Sequence, residues 1–137
     1  MAGATYVLDK TYRITSSGGV GRYLAVGIGA NDGDCQLPTS ASQLAYGITQ
    51  EAQPNQNENV IVRKYGISRA YANSPINKGD YVEVAGSSGY LQTANLTTLP
   101  PTATLHNVVG IAESSASASG QIFFVFLAPN PCVVPHD

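Results

Sequence analysis

The chain has 137 residues, enough for one domain whose core needs neither metal nor disulfide. A hydrophobic share of 43% excludes wholesale disorder, while the charged share of 12% is half the ~25% typical of soluble domains. Seven Lys and Arg against nine Asp and Glu give a net charge of −2, with no basic cluster able to neutralise a run of phosphates, so nucleic acid is not an expected partner.

The polar surface must therefore come from Ser, Thr, Asn, Gln and Gly. Such a surface suits a protein whose outside is occupied by neighbours, or one that works outside the cytoplasm. The opening "MAGATYVLDK" lacks the basic and apolar regions of a secretory signal. No apolar run approaches the ~20 residues of a membrane span. A soluble chain made in a cytoplasm, with no membrane partner, is expected. Cys35 and Cys132 make neither a disulfide framework nor a metal site, and free thiols are expected.

From the N-terminus, short Val/Ile/Tyr-rich segments alternate with Gly, Ser, Asn and Pro. Strands are predicted at Thr11–Thr15, Tyr23–Ile28, Ala45–Gln50, Glu58–Tyr65, Ile67–Tyr71, Asp80–Ala85, Tyr90–Thr93, Val108–Glu113 and Ile122–Leu127. No window has a 3.6-residue period; "PTSASQLA" and "TTLPPTATL" could each hold one helical turn at most. The fold class read from this pattern is all-β: a small curved β-barrel or sandwich of short antiparallel strands. Residues 1–10 form an N-terminal arm, 11–128 a single domain and 129–137 a C-terminal tail.

The clearest local signal is "NKGDYVEVAGSSGYLQTA". Val82 and Val84 share one face there, Tyr81 and Glu83 the other, and Gly86–Gly89 reverse the chain into a hairpin. The "NLT" at Asn95 matches a glycosylation acceptor, idle in a chain without a secretory signal. A repeat also runs through the chain: "LAVGI", "LAYGI", "KYGIS" and "VVGIA" all centre on Gly-Ile. "YGITQEA" and "VGIAESS" each lead through a polar loop to the strands "NVIVR" and "QIFFVF". The glycines mark places where a strand bends or another backbone comes close, as in a strongly curved barrel. The alternative is four coincidental dipeptides in a Gly-rich chain.

Ile122–Leu127, "IFFVFL", poses a packing question, because a strand apolar on both faces must be covered twice. Ile122, Phe124 and Phe126 line one face; Phe123, Val125 and Leu127 line the other. One set fills the core. The other needs a second layer of the same chain or a neighbouring subunit, since exposure forfeits about 1.5–3 kcal/mol per side chain.

Chemistry is sparse. "SSGGVGRYLAVGIGAND" has neither phosphate-loop pattern, and no helix follows it. "NDGD" at Asn31–Asp34 lacks the closing glutamate of a calcium loop and reads as a tight turn. His106 and His136 have no acidic or cysteine partner nearby in sequence, and no serine lies in a nucleophile-elbow context. No cofactor, metal or catalytic residue is expected, and the chain reads as a non-enzyme. Arg63, Tyr65, Arg69 and Tyr71 fall at alternating positions and would share a strand face if pairing continues through Gly66. Such a stripe is a surface for protein contact or, less favoured at this net charge, for bases or sugars.

The order of these pieces resembles the capsid cement (head decoration) proteins of tailed bacteriophages. The resemblance spans about Arg22 to Leu127. It is carried by "YGITQEA", "VIVRKYGI", "ANSPINKGDYVEVAGSSGYLQTA" and "VVGIAESSASASGQIFFVFL"; "TYRITSSGGVGRYLAV" also looks like the family's opening segment, whereas "APNPCVVPHD" has no counterpart. The resemblance implies a compact β-barrel-like domain, commonly trimeric, on the outer surface of the virion head. There it bridges subunits of the major capsid protein against the pressure of packaged DNA. On that reading Thr5, Tyr6, Val7 and Leu8 of the arm add a strand to a coat-protein loop, or else begin the barrel. Phe123, Val125 and Leu127 become the subunit interface of a homotrimer. The competing reading is a tail or head-fibre adhesin that recognises glycan through Tyr65, Tyr71 or Tyr90.

Overall fold

The structure, a computed structural model, describes residues 7–95 and 105–133. Among these residues there are nine strands and no helix: β1 (Leu8–Ile14), β2 (Ala25–Ile28), β3 (Asp34–Gln36), β4 (Ala45–Thr49), β5 (Asn59–Tyr71), β6 (Tyr81–Val84), β7 (Leu91–Thr93), β8 (Leu105–Ala112) and β9 (Ile122–Val133). The fold is all-β, as the composition and turn signals require.

Strands β1, β3, β2, β4 and β5 are neighbours in that order, and β5 returns to pair with β1, closing a five-stranded barrel. β1 runs antiparallel to β5 from Leu8↔Tyr65 to Arg13↔Asn59, and parallel to β3 at Arg13↔Asp34 and Ile14↔Cys35. Leu8, Asp9 and Lys10 therefore belong to the first barrel strand. β3 was hidden from sequence because it is only three residues long and follows directly from the turn at Asn31–Asp34, where the Asp34 N–H donates to the Asn31 carbonyl at 3.0 Å. Asp34 is buried, and Arg13 Nε and Nη2 donate to its two oxygens at 2.9 and 3.1 Å. Those hydrogen bonds hold the Asp34 carboxyl below the usual carboxylate range, against the opposing effect of desolvation.

The two segments expected at Glu58–Tyr65 and Ile67–Tyr71 form one strand, which passes through Gly66 without a break. Its first half pairs with β1 and β4. Its second half pairs with β9, from Gly66↔Leu127 to Tyr71↔Ile122. From there a second sheet runs β5, β9, β8, β6, β7, and a parallel bridge, Ala72↔Leu91, returns β7 to the end of β5.

This second lobe repeats the first strand for strand. β2 meets β4 at Ala25↔Ile48 and Val26↔Gly47, then skips Tyr46 to reach Gly27↔Ala45. β6 meets β8 at Tyr81↔Ile111 and Val82↔Gly110, then skips Val109 to reach Glu83↔Val108. The next ladder agrees too: Gly27↔Gln36 and Ile28↔Cys35 in one lobe, Glu83↔Gln92 and Val84↔Leu91 in the other. Ile14↔Cys35 and Ala72↔Leu91 are the matching parallel contacts, and Val20↔Gln53 and Ile76↔Ala116 the matching loop bridges. Gly47 and Gly110 occupy equivalent sites. A Cβ on either would fall on a carbonyl oxygen, that of Arg63 or of Phe126, so the strands approach closely there. The Gly-Ile repeat of "YGITQEA" and "VGIAESS" is thus a structural repeat.

Each lobe has its own core, filled from equivalent positions: Tyr12, Val26, Cys35, Val60 and Val62 in the first; Ala70, Val82, Leu91, Phe123 and Val125 in the second. Volume is exchanged between cross-strand partners. Tyr12 faces Val60 in the first lobe, whereas Ala70 faces Phe123 in the second, so a large residue meets a smaller one in both.

The lobes meet where the outer face of β2 and β4 joins the second core. Ala25, Ala45 and Ile48 belong to the same apolar cluster as Val84 and Phe123. The Ala25 N–H donates to the Gly89 carbonyl and the Ser42 N–H to the Val84 carbonyl, both at 2.9 Å.

Cys35 is buried, and its thiol is pushed up to about 11, first by burial and then by the charge of Asp34. In a Cys132→Ser variant, Cys35 is expected to resist a maleimide at pH 8 in buffer and to react fully in denaturant. Rapid labelling of the native protein would contradict the closed barrel.

Candidate functional site

The second lobe presents a broad apolar outer face. In strand β5, alternation places Ile61, Arg63, Tyr65, Ile67, Arg69 and Tyr71 outward along one line, because pairing continues through Gly66. In β9 the outward set is Ile122, Phe124 and Phe126. The ladders then align Ile67, Phe126, Ile111 and Tyr81 in one row across β5, β9, β8 and β6. Phe126 is half-buried, and the other three are exposed.

Around this row, Tyr65 meets Phe126 edge-on at 5.3 Å between ring centroids. Arg69 lies over the Phe124 ring at 5.7 Å and donates from Nη1 to the Tyr23 hydroxyl at 3.3 Å. Arg63 is held by Asp9, at 2.9 and 3.2 Å, and donates from Nη1 to the Ile67 carbonyl at 3.0 Å. These contacts hold both arginines along the rim of the apolar row. Six exposed side chains (Tyr65, Ile67, Tyr81, Ile111, Ile122 and Phe124) leave on the order of 500 Å² of mostly apolar surface. That is near the upper end of what a monomer exposes, and such patches mark interaction sites.

Phe123, Val125 and Leu127 need correction. They are 1%, 0% and 0% exposed in the single chain and fill the second core, so they have no surface to offer a neighbouring subunit. The set left for a partner is the alternate one, Ile122, Phe124 and Phe126. Parity alone could not tell which set faced inward; the pairing with β5 and β8 decides it. Val7 and Leu8 are exposed at the start of β1, while Thr5 and Tyr6 lie outside the described residues.

Tyr71 and Tyr90 stack on each other at 5.3 Å, which occupies one face of each ring. A cleft lined by Tyr23, Gln50, Arg63, Ser68 and Arg69 among others is shallow and holds about 200 Å³. Small-molecule pockets are commonly larger than this and more enclosed.

A buried polar cluster escaped the sequence reading. Glu83 lies on the strand face opposite Val82 and Val84, yet it is buried because the segment carrying Ser42 covers it. Glu83 Oε2 accepts from the Ser42 hydroxyl at 2.7 Å and lies 2.7 Å from His106 Nδ1; Glu83 Oε1 accepts from Gln92 Nε2 at 3.0 Å. Ser42 also accepts at its carbonyl from Asn107 Nδ2, at 2.7 Å. Serine, glutamate and histidine here do not form a nucleophile–base pair. The carboxylate sits between hydroxyl and imidazole, whereas activation needs the imidazole in the middle. The cluster instead pins the lobe junction. Glu83→Ala would leave three partners without their acceptor, and should cost roughly 3 kcal/mol in urea unfolding. A change below about 0.5 kcal/mol would show that the cluster does not hold the junction.

Among the described residues, no group of His, Cys, Asp and Glu could hold a metal ion. No protein-family model and no curated protein sequence matches the chain. Among solved structures, it is similar to the crystal structure of the head fiber gp8.5 N base in bacteriophage phi29. The TM-score is 0.61 at 18% identity, over 90% of this chain and 95% of that one. At that identity the likeness is one of fold.

Proposed function

We propose that this protein is a structural component of a tailed-phage head, bound outside the capsid at junctions between coat subunits and stabilising the head against internal DNA pressure. The observation that carries the reading is the fold shared with a phage head-fibre base along nearly the whole chain. The residue order that resembles cement proteins, the low charge content and the apolar outer face of the second lobe support it. Its partners on this reading are the major capsid protein and further copies of itself, as a homotrimer. Thr5, Tyr6 and Val7, with Leu8 at the start of β1, are the segment proposed to touch the coat by strand addition. The reading assigns no catalytic role, cofactor, nucleic acid or membrane to the chain.

The second reading is a head-fibre base or adhesin module, and the same structural neighbour favours it specifically. Stoichiometry separates the two. Cement covers the shell, so its copy number in purified particles should be on the order of that of the coat protein, and particles stripped of it should burst at lower temperature. A handful of copies per particle would shift the assignment to the fibre. Absence from the particles would overturn both readings.

A further inference from the structure

Because the lobes repeat, each surface of one has a counterpart in the other. Within the chain, the outer face of β2 and β4 in the first lobe is covered: Ala25 and Ile48 are both 0% exposed, packed into the cluster of the second lobe. Their counterparts in the second lobe, by identical ladder positions, are Tyr81 and Ile111. These are 49% and 39% exposed.

The covering surface shows the same asymmetry. The second lobe covers the first with Val84, 0% exposed, and with the turn at Gly89, where an added Cβ would lie 3.0 Å from the Ala25 carbonyl oxygen and the Leu24 Cβ. The counterpart of Val84 in the first lobe is Ile28, which is 47% exposed. The counterpart of Gly89 is Gly33, in the equivalent turn, where an added Cβ would meet nothing within 4 Å. One chain thus contains a finished junction and two unfinished halves of it: an apolar outer face on the second lobe and, on the first, a rim carrying the exposed Ile28 beside the polar turn Asn31–Gly33.

We propose that the outer face of the second lobe is covered by the first-lobe rim, around Ile28 and Gly33, of a second copy of this chain. The contact continues between copies the junction already present within one. It is heterologous, since a face meets a different face, and so it must close into a ring if it is not to grow without limit. The larger side chain at Tyr81 than at Ala25 fits the uncovered turn at Gly33. The proposal rests on the repeat and not on the phage-head reading, so either can fail without the other.

The test is sedimentation of the full chain with three variants at exposed positions, Ile28→Glu, Ile111→Glu and Tyr81→Glu, each checked by thermal melting for an intact fold. The wild type is expected to form a discrete oligomer. A charge placed in either half of the contact should weaken association by on the order of a hundredfold and give monomers. Mixing Ile28→Glu with Ile111→Glu is the decisive step, because one intact face and one intact rim remain. A one-to-one heterodimer is expected. A monomeric wild type would overturn the proposal. So would an oligomer indifferent to these changes, or a mixture that stays monomeric, which would point to a contact of like faces or to cover by another segment of the same chain.

Discussion

The structure depends on the continuous register of β5. Thirteen residues, Asn59–Tyr71, close the first barrel at one end and open the second lobe at the other. Since side chains alternate, a strand that keeps register through Gly66 keeps the same side inward in both lobes. Val60 and Val62 enter the first core; Ser68 and Ala70 are buried in the second lobe. A one-residue slip at Gly66 would turn Ile67 and Arg69 inward and expose Ser68 and Ala70. The outward line from Ile61 to Tyr71, and every residue of the apolar face built on it, therefore follows from this one strand.

That constraint also answers how "IFFVFL" is accommodated. β9 reads its register from β5, which turns Phe123, Val125 and Leu127 into the core and leaves Ile122, Phe124 and Phe126 outside. In the first lobe the second lobe covers the outer face at Ala25 and Ile48, while Ile61, the counterpart of Phe124, stays exposed. A chain with 12% charged residues has few ways to make such a face soluble. The counterpart of a covered face has been left apolar, which is what a surface meant for contact requires.

Much of the architecture was legible from sequence. Gly, Pro and Asn punctuation set off eight of the nine strands, and the all-β class followed from the absence of a helical period. What could not be read was long-range. β3 is three residues, too short to carry an alternating pattern. The burial of Glu83 could not be foreseen because the residue that covers it, Ser42, is distant in sequence. The repeat was visible only at its glycines, since close backbone approach preserves glycine at Gly47 and Gly110. Core positions keep a large residue against a smaller one instead, so Tyr12 with Val60 and Ala70 with Phe123 are equivalent pairs with nothing in common by identity. The alternating stripe of Arg63, Tyr65, Arg69 and Tyr71 could be foreseen; that Arg63 is tied to Asp9 and Arg69 rests on Phe124 could not.

On the proposed reading, a small two-lobed barrel with one junction closed and one open would decorate a shell from few residues, each copy supplying both halves of the next contact. Val7 and Leu8, at the start of β1, are exposed. The most direct test is an electron cryomicroscopy reconstruction of particles that carry the protein, at a resolution that traces strands. The account predicts density for this chain on the outer surface of the head, with Tyr81 and Ile111 of one copy against the Gly33 turn of its neighbour. Density elsewhere in the particle, or a second-lobe face open to solvent in the assembled state, would contradict it.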